Sequence, residues 1–343
     1  MQDTAPIRPS EQLDWPALAA YLTDRLEGAD GPMQVAQFHG GHANLTYLIA
    51  YGEREYVLRR PPFGKLAPGA HDMKREYRVL SKLHTHYPPA PRAFLYCAEA
   101  EVIGAPFVVM ERRTGTVVRY RVPEAFGAMP RAEERLTDAL IDSLADLHRV
   151  DYRAAGLEKL GRPEGFVQRQ LEGWKQRWEM ARTADDPVSE QVLAGLEADI
   201  PKAQGTAILH NDFKLDNCQF APDSPDRVTA VFDWDMATLG DPLIDLGTVL
   251  CYWPDPAIPP GTLPIEMKGN WPEKQHLIDR YAARTGYSLD RVNWYQAFAY
   301  WKNGIILQQL YHRYRQGATK DARMEKFEGT ARAFLRVALA LVG

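Results

Sequence analysis

Between Pro32 and Met110 the apolar positions come in short runs of the kind strands make. Gln34–Phe38 and Leu45–Ala50 are β-prone, and Glu55–Arg60 alternates before Pro61-Pro62 stops it. A further apolar run covers Pro106–Glu111. His71–His84 instead places Tyr77, Leu80 and Leu83 on one side of a helix. After Gly115 helical spacing takes over. Glu133–His148 repeats Leu136, Leu140, Ile141, Leu144 and Leu147, and Phe166–Thr183 and Ser189–Asp199 are amphipathic. Two short strands, Ala207–Leu209 and Val228–Phe232, interrupt this helical half, and each is followed closely by carboxylates. From Leu243 on the chain is mostly helical, with Pro- and Gly-rich punctuation at Pro254–Gly269. The pattern predicts an α+β, bilobal chain whose join lies near Glu111–Thr116. Residues 1–112 form a small β-rich lobe with an N-terminal helix and one main helix, and residues 113–343 form a larger helical lobe.

Composition narrows this only a little. The 343 residues are 45% hydrophobic and 25% charged, which suits a globular protein and excludes collagen-like or largely disordered chains. Three separated cysteines, Cys97, Cys218 and Cys251, make neither a CxxC pair nor a metal cluster, so a reduced, cytoplasmic setting is expected. A net charge of −4 argues against nucleic acid as partner. The polar N-terminus lacks a signal-peptide pattern, and no apolar stretch is long enough to cross a membrane.

The chemistry concentrates in Ile208–Asn217, which contains His210-x-Asp212-x4-Asn217, and in Asp233-Trp234-Asp235 after the second strand. Oxygens from Asn217 and Asp233 suit a hard cation such as Mg²⁺ that leans on substrate phosphates. Asp212 would then face an incoming hydroxyl and accept its proton, the arrangement of kinase-type phosphoryl transfer. Lys214, two residues on, could contact the transferred phosphate. His210 reads as a structural support of the loop. Asp235 is either an added metal ligand or a solvated or capping carboxylate.

With these motifs in order, the chain resembles the aminoglycoside phosphotransferase family, which shares the protein-kinase fold. It is closest to the kinase-like domains fused ahead of acyl-CoA dehydrogenase domains and to their stand-alone bacterial relatives. The resemblance runs from Val35 to the C-terminal helices. It implies ATP and Mg²⁺ as cofactors and assigns roles to matching positions. Gly40, Gly41 and Asn44 in Phe38–Thr46 match the phosphate-covering loop, without the GxGxxG of protein kinases. Arg59 stands where protein kinases place a lysine, with Arg60 as rival, since strand neighbours face opposite ways. Glu76 matches the helix glutamate that holds that cation. Met110, Glu111 and Arg113 lie in the segment whose backbone meets the adenine. Asp245, in Gly240-Asp241-Pro242-Leu243-Ile244-Asp245-Leu246, would brace the catalytic loop from a helix start, where an Asp can also accept N-terminal N–H bonds.

Other chemistries have less footing. No GxxxxGK[ST], no GxGxxG after a strand and no HExxH occurs. His39 and His42 read as loop histidines, His148 as a packed core-edge residue and Cys218 as a small buried filler.

The acceptor is a separate question. From Ile265 on, thirteen lysines and arginines face seven acids, while the rest of the chain has 28 against 38. A basic end favours an anionic hydroxylated partner over a polycationic aminoglycoside. The same end carries Trp294, Tyr295, Phe298, Tyr300, Trp301, Tyr311 and Tyr314, part core and part possible wall for an acyl chain. The expected activity is phosphorylation of a small-molecule hydroxyl, with a hydroxyacyl-CoA or hydroxy acid favoured. An aminoglycoside or other small-alcohol kinase is the alternative enzyme, and a nucleotide-binding pseudokinase-like module the alternative class. The length leaves no room for a dehydrogenase domain beside it.

Overall fold

The computed structural model describes residues 3–39, 44–64, 71–119, 121–183, 187–255, 269–319 and 321–343. They divide into two compact units. The first joins Met1–Gly115 with Tyr152–Leu160 and Thr229–Ala237, and the second joins Thr116–Asp151, Gly161–Val228 and Thr238–Gly343.

The first unit is built on a five-stranded antiparallel sheet. Its strands are β1 (Gln34–Gln37), β2 (Leu45–Tyr51), β3 (Arg54–Arg60), β4 (Ala93–Cys97) and β5 (Phe107–Glu111), in spatial order β1-β2-β3-β5-β4. β2 and β3 are joined tightly through Gly52 at φ 60°, a left-handed conformation that glycine takes without strain. Along β2 and β3, Tyr47, Ile49, Tyr56 and Leu58 point to one face and pack with Leu18 and Leu22 of α1 (Trp15–Thr23). Strand alternation therefore sends Arg59 to the other face, where α2 (Met73–Leu83) lies against β4 and β5. Both helices begin with an aspartate cap. Asp14 accepts from the Ala17 N–H and Asp72 from the Arg75 N–H, each at 2.9 Å, each worth about 1 kcal/mol. A short helix, α3 (Ala100–Ile103), precedes β5.

The second unit is mainly helical. Its helices are α4 (Glu124–Gly127), α5 (Ala132–His148), α6 (Phe166–Ala181), α7 (Pro187–Ala198), α8 (Leu243–Tyr252), α9 (Lys274–Thr285), α10 (Val292–Arg315) and α11 (Phe327–Val342). Its short strands are β6 (Thr116–Val117), β7 (Ala207–Leu209), β8 (Cys218–Ala221) and β10 (Thr238–Gly240), with β9 (Ser224–Val231) running out of it into the first unit. β7 pairs antiparallel with β10, and β6, β8 and β9 form a three-stranded sheet in that order. α10 is buried around most of its girth from Trp294 to Tyr311 and packs against α6, α7, α8 and α11. Of the seven aromatic residues that the sequence divided between core and wall, six are core, and Tyr314 alone is not buried. No described helix is long and apolar enough to cross a membrane.

Candidate active site

The loop after β7 carries the second unit's chemistry. Asp212 lies in it with its carboxylate Oδ2 2.9 Å from the Lys214 ammonium and 3.0 Å from Nδ2 of Asn217. The same Asn217 amide donates to the Asp212 carbonyl at 2.8 Å. Both bonds turn Nδ2 toward Asp212, so a cation at Asn217 would meet the amide oxygen. His210 is fully buried, and its Nδ1 accepts from the Asp212 N–H at 3.3 Å.

Burial alone would depress the Lys214 pKa, but Asp212, Tyr252 and Asp216 oppose it and the net shift is upward, which keeps the ammonium charged. Its Nζ lies 5.1 Å from the centre of the Tyr252 ring. Burial raises the Asp216 carboxyl pKa, and its Oδ1 is buried without a hydrogen-bond partner among the described residues.

The backbone before Asp212 is held by Asp245. Its carboxylate, at 0% exposure in the first turn of α8, accepts from the His210 N–H at 2.6 Å and the Asn211 N–H at 2.7 Å. The bonds go to the loop, and Asp241 is the residue that accepts from an N–H at the start of α8, that of Leu243 at 3.1 Å. Burial would raise the Asp245 pKa, but His148 and His210 outweigh it and hold the carboxyl below its ordinary value. His148 is buried between the Tyr281 hydroxyl (2.7 Å) and Asp245 (3.4 Å).

A second cluster forms within the first unit. Arg59 donates through Nη1 to Glu76 Oε1 at 2.7 Å and through Nη2 to Asp233 Oδ1. Glu76 is 0% exposed, accepts also from the Trp234 N–H at 3.4 Å, and keeps Oε2 without a hydrogen-bond partner among the described residues. Burial pushes the Glu76 carboxyl up to about 7, against the pull of Arg59. Asn44 sits between Arg59 and His71. With the amide orientation that satisfies both, its oxygen accepts from Arg59 Nε at 3.2 Å and its nitrogen donates to His71 Nδ1 at 2.8 Å. Asp235 is hydrogen-bonded to Asp233, and burial and that neighbour raise its pKa to about 6.

Arg60 leaves β3 on the core face. It donates to the carbonyls of Ile103 (2.7 Å) and Pro61 (2.9 Å) and lies over the Phe63 ring. Of the two arginines, then, Arg59 is the one facing the carboxylates.

In β5, Met110 is paired in register with Val57 on one side and Ala93 on the other. The Glu111 carboxylate accepts from the Arg92 N–H at 3.0 Å and pairs with Arg113 at 2.9 Å. Gly40 and Gly41 lie outside the described residues.

The first-unit cluster fits a divalent cation by its donor set. Three carboxylates, Glu76, Asp233 and Asp235, face one guanidinium, and two of them share a hydrogen bond. A hard cation would relieve that surplus of negative oxygen. Sequence reading did not single out Asn211 or Lys302, which donates from α10 to the Asn211 carbonyl at 3.0 Å. The available signal was a lone cation inside the apolar run Trp294–Leu307.

Comparison with known proteins agrees with this chemistry. A family model described as "Phosphotransferase enzyme family" matches residues 34–270. Acyl-CoA dehydrogenase family member 10 of Mus musculus is 32% identical over 335 residues, which cover 94% of this chain and 31% of that protein. Acyl-CoA dehydrogenase family member 11 of Homo sapiens is 32% identical over 331 residues, covering 92% and 41%. The chain thus spans less than half the length of these curated relatives. Among solved structures, a Ralstonia eutropha protein assigned as an aminoglycoside phosphotransferase superposes with a TM-score of 0.82 at 30% identity, covering 96% of this chain and 98% of that one. Choline kinase from Cryptosporidium parvum shares the fold with a TM-score of 0.63 at 11% identity, covering 96% and 95%. An aminoglycoside phosphotransferase mutant in ternary complex with AMP-PNP and hygromycin B does so with 0.58 at 17%, covering 94% and 98%. The chain, with its kinase-like α+β fold, belongs to the phosphotransferase enzyme family.

Proposed function

We propose that the protein transfers the γ-phosphoryl group of Mg²⁺-bound ATP to a hydroxyl of a small molecule. The observation that carries this reading is the loop of Asp212, Lys214 and Asn217, a carboxylate flanked by an ammonium at 2.9 Å and an amide at 3.0 Å on a backbone held by Asp245. Asp212 orients the acceptor hydroxyl and takes its proton as the oxygen bonds to phosphorus and the bridge to the β-phosphate breaks. A positioned base of this kind contributes about 10²–10⁴-fold. Lys214 offers its ammonium to the transferred group. Asn217 and Asp233 would hold the ion, whose role when bound is to neutralise phosphate charge. Arg59, set by Glu76, offers a fork of N–H groups to phosphate oxygens, and the backbone at Met110–Arg113 meets the adenine.

For the acceptor, the names of the acyl-CoA dehydrogenase relatives support a hydroxyacyl-CoA or hydroxy acid. Several basic groups of the C-terminal helices have acidic partners, which leaves less free positive charge to attract an anionic acceptor. Lys274 pairs with Asp255, Arg280 with Asp138 and Asp142, Arg284 with Asp146, and Arg291 with Asp199. The buried aromatic residues of α10 likewise leave little of an acyl-chain wall. Those two observations favour a second reading, an aminoglycoside or other small alcohol as acceptor.

ADP release measured over hydroxyacyl-CoAs, free hydroxy acids, aminoglycosides and choline-like alcohols tests both readings. Turnover with any of these, abolished by Asp212→Asn while Mg·ATP binding persists, is the expected outcome. Nucleotide binding without turnover on any acceptor would make the chain a binding module.

A further inference from the structure

Asp212 can serve as acceptor only if the peptide before it is fixed, and that peptide adopts a costly shape. Asn211 has φ 67°, in the left-handed region that non-glycine residues seldom enter. Asparagine tolerates the region better than most residues, but a single conformation there needs outside support. Its N–H is held by Asp245, as described. Its carbonyl is held from another helix.

Lys302 of α10 is 5% exposed, in a stretch of helix otherwise lined by apolar and amide side chains. A buried ammonium is expensive, and burial lowers its pKa against the pull of Asp212 and Asp245. Among the described residues, its hydrogen bond goes to the Asn211 carbonyl at 3.0 Å, and the Trp174 ring lies 5.9 Å away. A neutral residue of similar length would pack here without that expense, so the charge-assisted bond is what the lysine adds.

The two helices that grip Asn211 are locked to each other. A Cβ at Gly247 would lie 2.4 Å from the Tyr295 carbonyl oxygen, so glycine alone allows α8 to approach the α10 backbone this closely. Beside it the Tyr295 hydroxyl donates to Asp241 at 2.6 Å. Gly247 is two residues from Asp245, and Tyr295 is two helical turns from Lys302. The crossing therefore sets the spacing between the acceptor of the Asn211 N–H and the donor to its carbonyl.

We propose that Lys302 is the positioning residue of the phosphoryl-transfer loop: its ammonium clamps the Asn211 carbonyl and so fixes the strained peptide that presents the Asp212 carboxylate. The proposal rests on the reading of Asp212 given above. Lys302 itself touches no reacting atom.

Two variants test it. Lys302→Met keeps the length and suits apolar surroundings, and Lys302→Gln keeps an N–H donor without the charge. The readouts are the melting temperature, Mg·ATP affinity, kcat with the acceptor that wild type uses, and hydrogen exchange of the peptide covering 208–217. For Lys302→Met the expected result is a folded protein with unchanged Mg·ATP affinity, kcat reduced about 10²-fold, and loop exchange faster by about tenfold. Lys302→Gln should fall between Met and wild type in both kcat and exchange. A folded Met variant with kcat within about twofold of wild type and unchanged exchange would overturn the proposal. So would a Gln variant that loses as much kcat as Met while its loop exchange matches wild type, since the charge would then be acting on substrate. If the Met variant does not fold, the Gln variant decides against wild type alone: lower kcat with faster loop exchange supports the proposal, and loop exchange equal to wild type, whatever the kcat, overturns it. Should wild type transfer phosphate to nothing, the phosphotransferase reading fails, while the exchange comparison still decides whether Lys302 holds the loop.

Discussion

Arg59 and Arg60 are adjacent on β3, and one step of the strand separates a charge cluster from an apolar core. Removing Arg59 leaves Glu76 buried and uncompensated. Arg59→Ala should therefore cost about 3–5 kcal/mol in urea unfolding and weaken Mg·ATP binding. Arg60→Ala loses bonds to two carbonyls and packing on Phe63. It should destabilise by about 1–3 kcal/mol while leaving nucleotide affinity near wild type in a thermal-shift titration. The reverse ranking of affinities would exchange their roles. Alternation in the sequence says that the two side chains diverge; it cannot say which one meets Glu76, because that depends on where α2 packs. Asp245 gives a test in pH. Its carboxyl is held below the ordinary 3.8 in the fold. Its ionised form thus contributes stability at all pH values above 3.8, and that contribution is lost as pH falls through the lower folded value. Urea midpoints followed into acid should drop more steeply for wild type than for Asp245→Asn, which starts lower at neutral pH. Equal slopes would show that Asp245 is not held ionised by His148 and His210.

Among elements, legibility followed length and periodicity. The segments that became α2, α5, α6, α7 and β3 show their repeats in the sequence. β8 and β10 do not, since all four residues of β8 are buried and leave no alternation, and β10 has three residues. β4 is also absent from the strand pattern read in the sequence, although its buried and half-buried positions alternate. The helix crossing at Gly247 was equally invisible, because a close approach is a property of two distant segments. Gly247→Ala should separate α8 from α10, at about 1–3 kcal/mol, with a lower melting temperature and a looser 208–217 loop in hydrogen exchange. The charges of α9 show the same limit. His276, Arg280 and Arg284 meet Asp138, Asp142 and Asp146 of α5 rung by rung. A local charge count sees a basic tail and misses partners 138 positions away. These half-exposed pairs should each contribute only about 0–1 kcal/mol, so Arg284→Ala should shift the melting point little, and less still in high salt.

For the whole molecule, the sequence marks where strand patterning gives way to helix, near Glu111–Thr116. Nothing in composition marks Tyr152–Leu160 or Thr229–Ala237 as belonging with the first unit. Their membership rests on long-range bonds. The Val231 N–H donates to the Pro89 carbonyl at 2.8 Å, Lys82 donates to the Gly156 carbonyl at 2.5 Å, and Asp233 pairs with Arg59. A fragment ending at Gly115 would keep the sheet but lack Asp233 and the Trp234 N–H that meet Arg59 and Glu76. It should show no cooperative melting transition, whereas the full chain should.

The chain passes from one unit to the other five times. Genetic exchange between two diverged members of such a lineage therefore has no single breakpoint that transfers one unit intact. A crossover near residue 115 pairs one parent's arginine and glutamate with the other parent's aspartates. Drift at those positions must then stay matched across distant stretches of the gene, and chimaeras cut there would be an informative place to look for mismatch.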